Sequence, residues 1–243
     1  MELICVENDT EAGIKAAEHI ASVIKMKPDC VLGLATGSSP IKTYSELVER
    51  YSSGELDFSS VKAVNLDEYV GLDAQHNQSY AYFMRTNLFD HINIRPKNCY
   101  IPDGKTASPE KECENFDNLI AFLGGIDLQL LGLGENGHIG FNEPSDVFVP
   151  RTHCVKLSDS TIRANARFFE SEEDVPKSAY TIGIKGIVQA KKILMIATGK
   201  KKAKAIKEAF FGEVTPRCPA SILQLHPDFT LIADKAALSL INY

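Results

Sequence analysis

His138 and Glu143 stand five residues apart in Gly132-Leu133-Gly134-Glu135-Asn136-Gly137-His138-Ile139-Gly140-Phe141-Asn142-Glu143-Pro144. This pairing of an imidazole with a carboxylate is suited to proton transfer: a carboxylate can fix the imidazole tautomer and make the ring a better proton acceptor. The stretch follows an apolar run, Ile126 to Leu131, that reads as a buried strand, and its four glycines in nine positions give the backbone conformations that side chains forbid. A loop at a strand's carboxyl end is where open α/β sheets bind their ligands. Taken alone, His138 would read as a hydrogen-bonded structural histidine.

Two further strand ends carry chemistry. Leu34-Ala35-Thr36-Gly37-Ser38-Ser39-Pro40 joins a buried strand to an amphipathic helix, with proline at the first helical position behind a hydroxyl suited to capping. The amides of the first turn, with the Ser38 and Ser39 hydroxyls, would converge on an anion such as phosphate, unless the segment is an ordinary capped turn. Val61-Lys62-Ala63-Val64-Asn65-Leu66-Asp67-Glu68-Tyr69 ends in two adjacent carboxylates, which face opposite sides of a strand. Only one can point into a cleft; Asp67 reads equally as a general base or as a cap.

Counter-charges for an anion are available. Thr198-Gly199-Lys200-Lys201-Lys202 puts three ammonium groups at a helix start, where the dipole disfavours cations and a bound anion would relieve the mismatch. Arg163 and Arg167 share a helical face in Ser160 to Phe169. A solvated lysine run and surface salt bridging are the bland alternatives. Nucleotide binding is rejected at both glycine-containing turns. Leu194 and Lys201 break the P-loop pattern, and although Gly132, Gly134 and Gly137 match the dinucleotide fingerprint, with Asp159 downstream, the residues after Gly137 are unsuited to the helix it requires.

The elements that must position these groups alternate short branched runs with helical segments. Strands are expected at Leu3–Val6, Val31–Leu34, Val61–Leu66, Ile126–Leu131, Ala179–Ile184, Ile193–Ala197 and Phe229–Ala233, and helices at Asp9–Met26, Ile41–Arg50, Tyr80–His91, Pro109–Leu123, Ser160–Phe169 and Lys201–Phe211. This rhythm implies an α/β fold with a mostly parallel open sheet and helices on both faces, Rossmann-like, over a single domain spanning residues 1–243. Asn142 to Arg151 is irregular and could start a mobile flap. At 44% hydrophobic residues and a formal charge of −6, the chain can bury a sizeable core and presents no basic field for nucleic acid or an anionic membrane. It lacks a signal-peptide core and a bilayer-spanning segment, so a cytoplasmic location is expected. Six cysteines without CxxC spacing suit buried free thiols.

On these residues the chain resembles the glucosamine-6-phosphate deaminase (isomerase) family almost end to end. The markers are Leu32 to Pro40, Asn65-Leu66-Asp67-Glu68-Tyr69, Gly134 to Pro144, Asn165-Ala166-Arg167-Phe168-Phe169 and Ser221-Ile222-Leu223-Gln224-Leu225-His226. The related 6-phosphogluconolactonases share the glycine-histidine turn but not the Leu-Asp-Glu-Tyr or Phe-Asn-Glu-Pro elements. The resemblance implies conversion of glucosamine 6-phosphate and water to fructose 6-phosphate and ammonia, with a small-molecule sugar phosphate as partner and no metal or organic cofactor. It implies ring opening by His138, oriented by Asn136 and Glu143; C2 proton abstraction by Asp67; and phosphate capture by Gly37, Ser38, Ser39, Arg167 and Lys202. Oligomeric state stays open, a monomer included.

This sequence departs from the family pattern at Asn136, where well-known members carry Asp, and at Ser38 and Ser39, where Gly and Thr are frequent. Hexameric members switched on by N-acetylglucosamine 6-phosphate use basic residues at positions that align here with His153 and Val155, so no allostery is expected. Two rivals remain. A sugar-phosphate-sensing module would not need Asp67, His138 and Glu143 together and would accompany a DNA-binding segment, for which there is no room before Leu3. A phosphogluconolactone hydrolase would release no ammonia.

Overall fold

The carboxyl ends of seven parallel strands form one edge of the protein. The computed structural model describes residues 1–157, 162, 166, 169 and 171–241. The sheet comprises β1 (Glu2–Val6), β2 (Val31–Leu34), β3 (Lys62–Asn65), β5 (Cys99–Tyr100), β6 (Leu128–Gly132), β9 (Lys192–Ala197) and β10 (Phe229–Asp234), in the order β1-β10-β9-β6-β2-β3-β5. All six pairings are parallel.

Alternation along the strands explains why both faces are covered. Val31, Val64, Leu131 and Met195 enter one apolar cluster with Ile206 and Phe210 of α6 (Ala203–Phe211) and Phe116 of α4 (Pro109–Phe122). Leu32, Ala63, Leu130 and Leu194 enter another with Ala16 and Ile20 of α1 (Asp9–Met26), Tyr44 and Leu47 of α2 (Ile41–Ser52), and Met84 of α3 (Tyr80–Asn87). A parallel strand buried on both faces reads as a continuous apolar run, and β2 is buried at all four residues.

The chain moves outward from β2 through β3 to β5, then returns to β6 and moves the other way through β9 to β10. The reversal falls between β2 and β6. Such a switch point opens a crevice at the carboxyl ends of the strands, because the two following loops diverge to opposite faces.

A second sheet, unanticipated from sequence, stands beside this edge: β4 (Asp67–Tyr69), β8 (Ser178–Thr181) and β7 (His153–Lys156), all antiparallel. The expected strand Ala179–Ile184 is correspondingly shorter, since Ile184 begins the short helix α5 (Ile184–Val188). The helix expected over Tyr80–His91 breaks at Leu88, whose backbone turns to φ −144° before a 3₁₀ turn at Phe89–His91. The expected helix over Ser160–Phe169, and with it Arg163 and Arg167, lies largely outside the described residues. All six cysteines are free, but only Cys30, Cys113 and Cys218 are buried; Cys5 and Cys154 are exposed, which corrects the expectation of uniformly buried thiols.

Candidate active site

Four neighbouring strands, in the order β9-β6-β2-β3, each deliver one part of the expected site from their carboxyl ends. Lys202 follows β9, the His138 loop follows β6, Gly37-Ser38-Ser39 follow β2, and Asp67 lies two residues beyond β3. Contacts between the loops confirm the convergence. A β-carbon on Gly132 would touch Ser39 Oγ at 3.5 Å, and Lys201 Nζ lies 3.7 Å from Glu135. The charge of Lys202 is felt at His138.

The β6 loop contains a hydrogen-bonded chain of three side chains. His138 Nδ1 is 2.7 Å from Asn136 Oδ1, and Asn136 Nδ2 donates to Glu143 Oε2 at 2.7 Å. A carboxylate can only accept, so the amide must turn its NH₂ toward Glu143 and its oxygen toward the imidazole. Nδ1 then carries the proton, and Nε2 is left with a lone pair. Glu143 Oε2 itself is 3.8 Å from Nδ1. Burial lowers the His138 pKa despite the opposing pull of Glu143; Lys202 lowers it further, and Glu135 opposes. The ring is therefore neutral around neutral pH and able to accept a proton at Nε2.

Glycine is required where this ring packs on its own loop. A β-carbon on Gly134 would lie 2.3 Å from His138 Nδ1. No helix opens after Gly137: the backbone makes an isolated bridge between Ile139 and Asn142, which agrees with rejection of the dinucleotide fingerprint.

The two carboxylates after β3 separate as alternation requires. Glu68 turns away and accepts backbone N–H groups from Tyr69 (2.8 Å), Tyr80 (2.9 Å) and Ala81 (2.9 Å), tying down the start of α3. Its role is structural. Asp67 is 6% exposed, and burial, reinforced by the Glu68 charge, pushes its pKa up to about 8. Its Oδ2 approaches the β6 loop, lying 3.6 Å from where a β-carbon of Gly140 would stand.

Several positioning residues were not anticipated. Thr181, paired with Asp67 across β8 and β4, accepts from Phe141 N at 3.1 Å through its hydroxyl. Asn142 Nδ2 donates to Ile139 O at 3.0 Å and Ile182 O at 2.9 Å, strapping the loop to the second sheet. Tyr80 stacks on Phe141 with centroids 5.9 Å apart, and burial holds its phenol well above the usual range, with Thr36 of the β2 loop opposing. The only signal for these residues in the sequence was proximity to the motifs.

The β2 loop differs in one detail from expectation. The residue at the N-cap position of α2 is Pro40, without a side-chain cap, so Ser39 does not cap the helix; it lies instead over the end of β6. Lys200–Lys202 form a 3₁₀ turn behind Gly199, whose N–H is held by both carboxylate oxygens of Asp234 at 3.0 Å. Among the described residues, no group of three or more His, Cys, Asp or Glu side chains is arranged to hold a metal ion.

Comparison with known proteins shows the family and the fold. A family model described as glucosamine-6-phosphate isomerases/6-phosphogluconolactonase matches residues 9–231. A glucosamine-6-phosphate deaminase of Lachnoclostridium phytofermentans is 56% identical over 232 residues, covering 96% of this chain and 98% of that protein. One from Clostridium perfringens is 52% identical over 242 residues, covering all of both. Among solved structures, a monomeric glucosamine-6-phosphate deaminase superposes with a TM-score of 0.97 at 43% identity, covering 99% of this chain and 100% of that one. A 6-phosphogluconolactonase from Trypanosoma cruzi shares the fold at a TM-score of 0.80 and 20% identity, covering 100% of this chain and 97% of that one. With its site loops on four adjacent strand ends and a match running through all of them, this chain belongs to the glucosamine-6-phosphate isomerase/6-phosphogluconolactonase family.

Proposed function

We propose that this protein converts glucosamine 6-phosphate and water to fructose 6-phosphate and ammonia, in amino-sugar catabolism. The observation that carries this reading is that Asp67 reaches the loop that bears His138: its Oδ2 lies 3.6 Å from where a β-carbon of Gly140 would stand, two residues along the chain from His138. A lactone hydrolase needs no second base for carbon acid chemistry. The close deaminase relatives support the same choice.

The geometry supports the following chemistry. The sugar's phosphate rests on the β2 loop at Gly37, Ser38 and Ser39, with Lys202 as a counter-charge and Arg167 assigned to the same role from sequence. His138 Nε2 takes the proton of the C1 hydroxyl and returns one to the ring oxygen, opening the pyranose to the amino aldehyde. The Asn136–Glu143 chain holds the imidazole in that tautomer throughout. Asp67 then removes the C2 proton, giving an enolamine, and delivers a proton to C1. The resulting C2 imine adds water, and ammonia leaves as the C2 ketone forms.

Residues 1–243 act as one catalytic domain in this reading, because both apolar clusters share the seven-stranded sheet. The partner is a small sugar phosphate. A monomer is assigned by likeness to the solved relative described as monomeric. No helix among the described residues is long and apolar enough to cross a membrane, and a cytoplasmic location fits the chemistry. Purified protein given glucosamine 6-phosphate should release ammonia and fructose 6-phosphate in equal amounts, also in the presence of a chelator. Hydrolysis of 6-phosphogluconolactone without ammonia release from the amino sugar would overturn the assignment.

A further inference from the structure

Asp67 presents its two carboxylate oxygens to different surroundings. Oδ2 faces Gly140 of the β6 loop. Oδ1 is buried from solvent and has no hydrogen-bond partner among the described residues. Two residues earlier, Asn65 is fully buried, and neither its Oδ1 nor its Nδ2 has a partner among them.

These orphaned atoms share one face. Val64 and Leu66 point into the apolar cluster that contains α6, so alternation sends Asn65 and Asp67 to the opposite face, beneath α2. Tyr44 of α2, whose cluster lies on that face, is within electrostatic range of Asp67, as are Tyr69 and Tyr80. Thr43, also of α2 and fully buried, contributes another unpartnered hydroxyl. Residues i and i+2 are about 6.6 Å apart in an extended chain and closer where, as at Leu66, the chain bends, a span one water bridges.

Buried polar groups are paired in more than about 90% of cases, and a polar pocket with two to four partners is where a structural water resides. From this geometry we infer that Asn65 is a positioning residue for Asp67, holding an internal water that donates to the inward-facing Oδ1 and leaves Oδ2 as the reacting oxygen. Such a water fixes the carboxylate plane toward C2 and favours the ionised form against the burial that opposes it. The titratable groups that face Asp67 are Glu68 on its own strand, Tyr44 on α2, Tyr69 on β4 and Tyr80 on α3. Burial pushes all three phenols well up, so only Asp67 and Glu68 can change charge near neutral pH.

The inference rests on the proposed role of Asp67, and the test separates the two. The carboxyl carbon of Asp67 is followed by NMR through a pH titration in the native chain, Asn65→Leu and Asn65→Ser. Loss of one hydrogen bond to a charged oxygen should raise the midpoint by about one pH unit or more in Asn65→Leu, which fills the space. Asn65→Ser leaves room for water and should stay near the native midpoint. C2–solvent hydrogen exchange should fall about tenfold in Asn65→Leu with KM little changed. In the native protein, the Asn65 amide protons should also show a nuclear Overhauser contact to a long-lived water, a measurement that does not depend on any variant folding. An unmoved midpoint in Asn65→Leu, or no such contact, overturns the inference. A moved midpoint in a protein that makes no ammonia sinks the proposed function and leaves Asn65's role standing.

Discussion

Burial favours the neutral form of both acid–base groups, raising Asp67 and lowering His138, and the consequences for rate and stability run in opposite directions. Asp67 works as a base only when ionised, so kcat/KM should climb with pH through an acid limb near its pKa of about 8. For stability, a folded pKa above the unfolded value of 3.8 contributes fully below that value and is lost as pH rises through about 8. Asp67→Asn should therefore abolish C2 hydrogen exchange yet melt several degrees, about 3–6 °C, above the native protein at pH 9, and by less at pH 5. Scanning calorimetry at the two pH values checks the sign; equal shifts at both would mean that Asp67 is not buried as a charge. His138→Gln should lower turnover of the cyclic sugar by about 10²–10⁴-fold. Running the reaction in reverse, from fructose 6-phosphate and ammonia, should retain exchange of a C1 hydrogen with solvent in this variant, since the base removes it from the C2 imine to give the same enolamine, which isotope incorporation would read. Equal loss of exchange in both variants would count against dividing ring opening and enolisation between two residues.

At the scale of elements, the site depends on two sheets meeting at Gly140. Its φ of +58° suits glycine, and a β-carbon would stand 2.8 Å from Thr181 Oγ1, on the strand paired with Asp67. Gly140→Ala should cost about 1–3 kcal/mol in stability and reduce kcat far more than it raises KM, measured by denaturant unfolding and initial rates. Little of this junction could be read from sequence. Six of the seven parallel strands were legible, most of them as continuous apolar runs, whereas β5, two half-buried residues, was not; the separation of Asp67 from Glu68 was legible because alternation demands it. The β4–β8–β7 sheet was not, since β7 alternates half-buried and exposed residues without a strong apolar period, and β4 is only three residues long. Nor does anything in sequence order place Thr181 beside Asp67; that contact is made by topology. The Asn136 amide was legible as a departure, but its orientation between Glu143 and His138 needed coordinates.

At the scale of the whole molecule, the two positions that the resemblance aligns with an effector site, His153 and Val155, both fall on β7. His153 gives Nδ1 to a contact with Arg151 O at 2.9 Å, and Val155 is aliphatic, so these two positions offer no pair of fixed cations. Arg151 leans on Asp117, 3.8 Å away. Each lost charge-assisted hydrogen bond to a phosphate costs about 1.5–3 kcal/mol, so two would weaken an effector by roughly a hundredfold or more. The substrate curve should be hyperbolic with and without N-acetylglucosamine 6-phosphate. A sigmoid that straightens on adding it would reveal a regulatory site.

The reversal of strand order between β2 and β6 has a kinetic corollary. Lys202, His138, Ser38 and Asp67 come from widely separated parts of the chain and meet only after β6 has been inserted beside β2 and β9 has closed on β6. Pairings of such long sequence separation form late, because loop closure must precede the contacts that reward it. Helical signal on refolding should therefore return well before turnover does, and no fragment ending before β9 should carry a working site.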